Sequence, residues 1–91
     1  KLDSAVHVWG SAAAISANAS LALACQAVSV LEIPMVYLEI TEKMWIEPPS
    51  IISGVYRPSQ SPGLGVELPD SLKNDYKLVP SSGYRLPKVG G

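Results

Sequence analysis

The sequence predicts an α/β fold: a strand-helix-strand unit over residues 1–47, then a Pro- and Gly-rich segment over residues 48–91 that must rest on something outside itself. Three observations lead there. Between Ser4 and Leu31 there is no Asp, Glu, Lys, Arg or Pro, so the first half is composed for burial. Seven of the eight prolines and six of the seven glycines follow position 46, which breaks the second half into short pieces. The 91 residues allow one small domain at most, and a long irregular stretch is out of place in a domain of that size.

The first strand is expected at Ala5–Trp9, a short extended run. Gly10-Ser11 then signals a helix start, because a Ser hydroxyl at the N-cap accepts from an otherwise unpaired backbone N–H. A buried helix is expected within Ser11–Val28, with Ile15, Ala19, Ala22, Leu23 and Gln26 on one face. A membrane span over the same stretch is disfavoured by Ser11, Ser16, Asn18, Ser20 and Gln26 and by its Ala content. A lipoprotein-like secretory signal ending at Cys25 is disfavoured because Lys1 is offset by Asp3. The second strand is expected at Met35–Ile40, between Pro34 and Thr41. Strand, helix and strand in that order imply parallel pairing with both sheet faces covered, which two strands alone cannot achieve.

From Glu47 to Gly91 the prolines leave no room for a strand or helix longer than about two turns between most of them. Its apolar residues, among them Ile51, Ile52, Val55, Leu68 and Leu78, are too many for a free linker and too scattered to form their own core. The segment therefore reads as a wrapper. Pro62-Gly63-Leu64-Gly65 reads as a tight turn, since it lacks the Lys-Ser/Thr ending and the helix that a phosphate loop needs.

Composition closes several functional classes. Seven basic against eight acidic side chains leave no positive excess for a nucleic-acid backbone. Cys25 and His7 are each the single residue of their type, so neither an internal disulfide nor a four-ligand Cys/His zinc site can form. Cys25 reads as an inert buried thiol.

In barrels of parallel strands, ligands sit at the C-terminal strand ends. On this reading His7 ends the first strand and Glu39 the second, so that an imidazole and a carboxylate share one mouth and can exchange a proton with substrate. Glu32, Glu42 and Glu47 lie nearby, and composition alone does not choose among them. Trp9 and Trp45 read as packing residues that can also line a pocket.

The runs His7-Val8-Trp9-Gly10-Ser11 before an Ala-rich helix, Tyr37-Leu38-Glu39-Ile40-Thr41-Glu42, and Pro62-Gly63-Leu64-Gly65-Val66-Glu67-Leu68 occur in that order. Together they make residues 6–76 resemble the C-terminal end of the mandelate racemase/muconate lactonizing group of the enolase superfamily. The long His7-to-Glu39 connection, with Leu31-Glu32-Ile33-Pro34, is similar to its acid-sugar branch, which includes dehydratases and a galactarolactone cycloisomerase. The resemblance departs at Val6, where relatives carry Pro, and at Ile40-Thr41-Glu42, where they carry an Asp-Arg-Thr-like run.

The resemblance implies a modified (β/α)7β TIM-type barrel, of which this chain is the end of strand seven, helix seven, strand eight and a tail returning to the capping domain. It implies a cytoplasmic, homo-oligomeric lyase or isomerase acting on a sugar-acid carboxylate through an enediolate, with no nucleic-acid or membrane partner. By the same resemblance His7 is the general acid/base, Glu39 donates to or binds the substrate carboxylate, and Trp9 lines the pocket. The Mg²⁺ ligands of the parent enzyme would lie outside this chain, so the 91-residue polypeptide alone is expected to be inactive. The rival expectation is a non-catalytic interaction polypeptide, or a membrane-anchored one, in which residues 11–28 dock and the Pro-rich tail binds a partner.

Overall fold

The first strand is brief. In the computed structural model, which describes residues 2–83, β1 covers Ser4–Val6 and is followed by α1 at Ala12–Ala24 and β2 at Val28–Leu31. Gly10, at φ +128°, turns the chain between β1 and α1 in a conformation that side chains disfavour. Ser11 is the N-cap, accepting from the Ala14 N–H at 3.5 Å, and the Cys25 N–H closes the other end on the Leu21 carbonyl at 3.0 Å. Thirteen helical residues span about 20 Å, against the roughly 30 Å of a bilayer core. No helix among the described residues is long and apolar enough to cross a membrane.

β1 and β2 pair in parallel, with Ser4 opposite Val28, Ala5 opposite Val30 and Val6 opposite Leu31. The second strand therefore lies at Val28–Leu31 and not at Met35–Ile40. The stretch at and just beyond the end of the expected helix contains the β-branched pair Val28 and Val30, which suits a pleated edge. Met35–Leu38 is instead a loop after Pro34, and α2 forms at Glu39–Met44, where Glu39 and Lys43 pair one helical turn apart. Glu39, expected to end a strand, begins this helix.

The burial stripe of α1 also differs from the expected one. Ala12, Ile15 and Ala19 are buried, whereas Leu23 is exposed and Gln26 lies beyond the helix. Cys25, expected to be buried, is only partly so. The core is small: Val8, Ala12, Ile15 and Trp45, with Val6, Leu31, Ile33, Tyr37, Met44 and Val66 packed against it. Trp45 does pack, its ring meeting Tyr37 edge-on at 5.1 Å and 76°.

The Pro-rich half is more regular than expected. β3 at Ser50–Ile52 and β4 at Val55–Arg57 form an antiparallel hairpin, and α3 covers Asp70–Asp75. Ser53 and Gly54 both have positive φ, as a tight two-residue hairpin turn requires. The Pro62–Gly65 run is a turn, closed by the Gly65 N–H on the Pro62 carbonyl at 3.2 Å. From there the chain returns to its own first half: Ile46 N–H bonds Gly65 C=O at 3.0 Å and Glu67 N–H bonds Met44 C=O at 2.8 Å. This part of the tail, expected to rest on an outside surface, bonds to the end of α2 and to Ile46 of its own chain. The end of the expected tail, including Pro87, lies outside the described residues.

The two sheets have two strands each, and neither closes a barrel among the described residues. The accessible surface is 7217 Å², on the order of 10³ Å² above the roughly 5,100 Å² of a folded monomer of this mass. The radius of gyration is 16.3 Å, against about 12 Å for a compact domain of this length. Val30, Ile51, Ile52, Val55 and Leu78 are all more than half exposed.

Candidate functional site

Side-chain alternation along the two parallel strands creates the site. Val6 and Val8 turn into the core, as do Leu31 and Ile33 on the neighbouring chain segment. His7 and Glu32, each between two inward residues, are thereby turned to the opposite face. The register pairs Val6 with Leu31, so the next positions along both strands are His7 and Glu32. The Glu32 N–H donates to the Val6 carbonyl at 2.9 Å and extends the ladder by one rung. At the C-terminal ends of β1 and β2, His7 Nδ1 and Glu32 Oε2 then lie 2.6 Å apart.

The structure brings His7 to Glu32 and not to Glu39. His7 stands where expected, just beyond the first strand, but its partner is Glu32. Glu39 sits at the start of α2 and is bonded to Lys43; among the described residues no hydrogen bond or ion pair joins it to His7. That Lys43 contact, foremost as a hydrogen bond, holds the Glu39 carboxyl below its usual range, and the Tyr76 hydroxyl adds to the effect. Partial desolvation and then the Glu39 carboxylate push the Tyr76 phenol up. Glu39 thus belongs to an exposed ionic cluster on α2.

Trp9 is 73% exposed and, with Gly10, Pro34, Val36, Tyr37 and Leu38, lines a notch of about 20 Å³ formed by the loops after β1 and β2. That is room for about one water, far below the roughly 300 Å³ at which small-molecule pockets begin. Tyr37, partly buried, has its phenol pushed up by desolvation. Neither His7 nor Glu32 lines this notch, whose aromatic residues are Trp9 and Tyr37.

Roomier hollows lie elsewhere. One of about 220 Å³ is lined by Ser16, Ser20, Tyr56 and Ser59 among others, and another of about 260 Å³ by Tyr37, Glu42, Trp45, Pro48 and Pro49. The serines of the first are already engaged: Ser16 accepts from Trp45, Ser20 donates to the Ser16 carbonyl and Ser59 accepts from the Ser61 N–H. Neither hollow is lined by His7 or Glu32.

Among the described residues there is no group of three or more His, Cys, Asp or Glu side chains placed to hold a metal ion. His7 and Glu32 supply two donors and are bonded to each other, so the segment does not fit a Mg²⁺ site. No family model, curated protein or solved structure matches this chain.

Proposed function

We propose that this chain is the C-terminal part of a Mg²⁺-dependent enzyme of the enolase superfamily that acts on a sugar acid by removing the proton α to its carboxylate. The observation that carries the reading is the His7–Glu32 pair at the C-terminal ends of adjacent parallel strands, the position at which such barrels hold their chemistry. Val30, opposite Ala5 on that sheet, is 54% exposed, whereas parallel sheets are ordinarily covered on both sides. Upstream strands and a capping domain supply the missing cover in this reading.

The acidic residue that directly follows β2 is Glu32, whereas Glu39, to which the resemblance assigns the eighth-strand acid, begins α2. The metal, held by residues outside this segment, would stabilise the negative charge that develops on the substrate. The residues of this chain handle the proton and the rim. His7 exchanges a proton with the substrate through its exposed ring, and Trp9 presents an apolar surface beside it. The dehydration, racemisation and cycloisomerisation branches differ in where that proton goes: to a departing hydroxyl in the first, to carbon in the others.

The test uses the full-length protein with Mg²⁺ in D₂O and a panel of acid sugars, following exchange of the α-proton and product formation by NMR. Exchange or turnover that requires the metal and falls by about 10²-fold or more in His7→Gln is expected. Absence of both across the panel, or an unaffected His7→Gln variant, overturns the proposal.

A further inference from the structure

The proposed chemistry makes no use of the hollow of about 260 Å³ bounded by Tyr37, Glu42, Trp45, Pro48 and Pro49, whose lining includes neither His7 nor Glu32. Small-molecule pockets begin at roughly 300 Å³, so an occupant of this one is small. Two of its walls are aromatic. The Tyr37 and Trp45 rings meet edge to face, with centroids 5.1 Å apart and planes at 76°, and such a pair bounds a corner with one face of each ring. The corner is set before any ligand arrives, because Trp45 is packed in the core and its indole N–H is taken by the Ser16 hydroxyl at 3.2 Å.

Glu42 supplies the charge. It stands on α2 three residues before Trp45, a spacing that places two side chains on one side of a helix. Its carboxylate has no hydrogen-bond or ion-pair partner among the described residues, the neighbouring Lys43 being bonded to Glu39. Aromatic faces and a carboxylate both attract positive charge, and Pro48 and Pro49 bring no backbone N–H to oppose it. The kind of cation follows from the acceptors. A primary ammonium carries three N–H donors, whereas the lining side chains accept only through the Glu42 carboxylate and the Tyr37 hydroxyl. A quaternary ammonium has no donor to satisfy and presents methyl groups to the rings and prolines.

We propose that this hollow binds a small, free quaternary ammonium compound, its methylated head group in the Tyr37–Trp45 corner and its charge offset by Glu42. The site is separate from the strand-end pair and does not depend on the enzyme reading.

The test is isothermal titration calorimetry of the full-length protein with choline, with its neutral isostere in which carbon replaces the charged nitrogen, and with ethanolamine. Saturable choline binding about tenfold tighter than that of the isostere is expected, with ethanolamine weaker than choline. Glu42→Gln and Tyr37→Leu should each weaken choline about fivefold or more; Trp45 is left intact because it also holds the core. Choline that does not bind, or binds no tighter than the isostere, overturns the proposal in the wild type alone, without any variant needing to fold. Ethanolamine binding as tightly as choline, or a choline affinity indifferent to both variants, overturns it as well. A trimethyllysine peptide binding about tenfold tighter than choline would place the head group on a partner protein and overturn the assignment to a free compound.

Discussion

The indole N–H of Trp45 donates to the Ser16 hydroxyl at 3.2 Å, joining the end of α2 to the middle of α1 across 29 residues. Trp45 is also a core member and, through the bridge to Val66, the point where the returning tail is fastened. Removing its ring should therefore loosen three parts together. Trp45→Ala should cost about 3–5 kcal/mol and Trp45→Phe, which keeps an aromatic ring but leaves Ser16 without its donor, about 1 kcal/mol more than a neutral change. Urea unfolding of the full-length protein measures both, and a Trp45→Phe variant as stable as the wild type would show that the hydrogen bond contributes nothing.

Gly10 adopts φ +128° and an added Cβ would lie 3.5 Å from Ala14 Cβ, so backbone conformation and not space is the obstacle there. Gly10→Ala should destabilise by about 1–3 kcal/mol. A neutral Gly10→Ala variant would mean that the turn from β1 into α1 is shaped differently.

Ser11 caps α1 with a long, exposed bond, so Ser11→Ala should cost about 0.5–1 kcal/mol, at the low end for N-caps. Ser11→Gly should recover most of that. The order wild type, Gly, Ala in unfolding midpoint checks the cap directly.

Glu39 and Lys43 carry the pH dependence of α2. The Glu39 carboxyl is held below its ordinary value of 4.5, so its contribution to stability is present above that value and lost as pH falls through the lower folded one. Lys43, raised from 10.5 by the Glu39 hydrogen bond, contributes below that value and loses its contribution as pH rises through the higher folded one. Both groups are exposed, so the effect is small. A ¹³C titration of the Glu39 carboxyl should give a midpoint below 4.5 that rises in Lys43→Met; a midpoint indifferent to Lys43 would contradict the pairing.

Much of the first turn of the fold is legible in the sequence because its signals are local. Gly10-Ser11 marks the turn and cap, and Pro62–Gly65 marks a turn by composition alone. The second strand is harder to see. Val28–Leu31 begins where the stretch that reads as helix ends, while Met35–Ile40, an apolar run between Pro34 and Thr41 that reads as a strand, lies across a loop and the start of α2. Tertiary pairing with β1 decides the matter, and four residues carry too little periodicity to announce it. The same displacement moves the acidic partner from Glu39 to Glu32. Glu32 is visible as one of several nearby acids, but only the parallel register selects it.

The central claim is that these elements are one side of a larger parallel assembly and do not reach a cooperative folded state without the rest. Calorimetry of the purified 91-residue polypeptide, with its mass in solution fixed by sedimentation, tests this most directly. The account predicts a monomer with no sharp heat-absorption peak, or association that hides the bare sheet face. A monomer that unfolds in a single sharp transition, with its calorimetric and van't Hoff enthalpies equal, would contradict it.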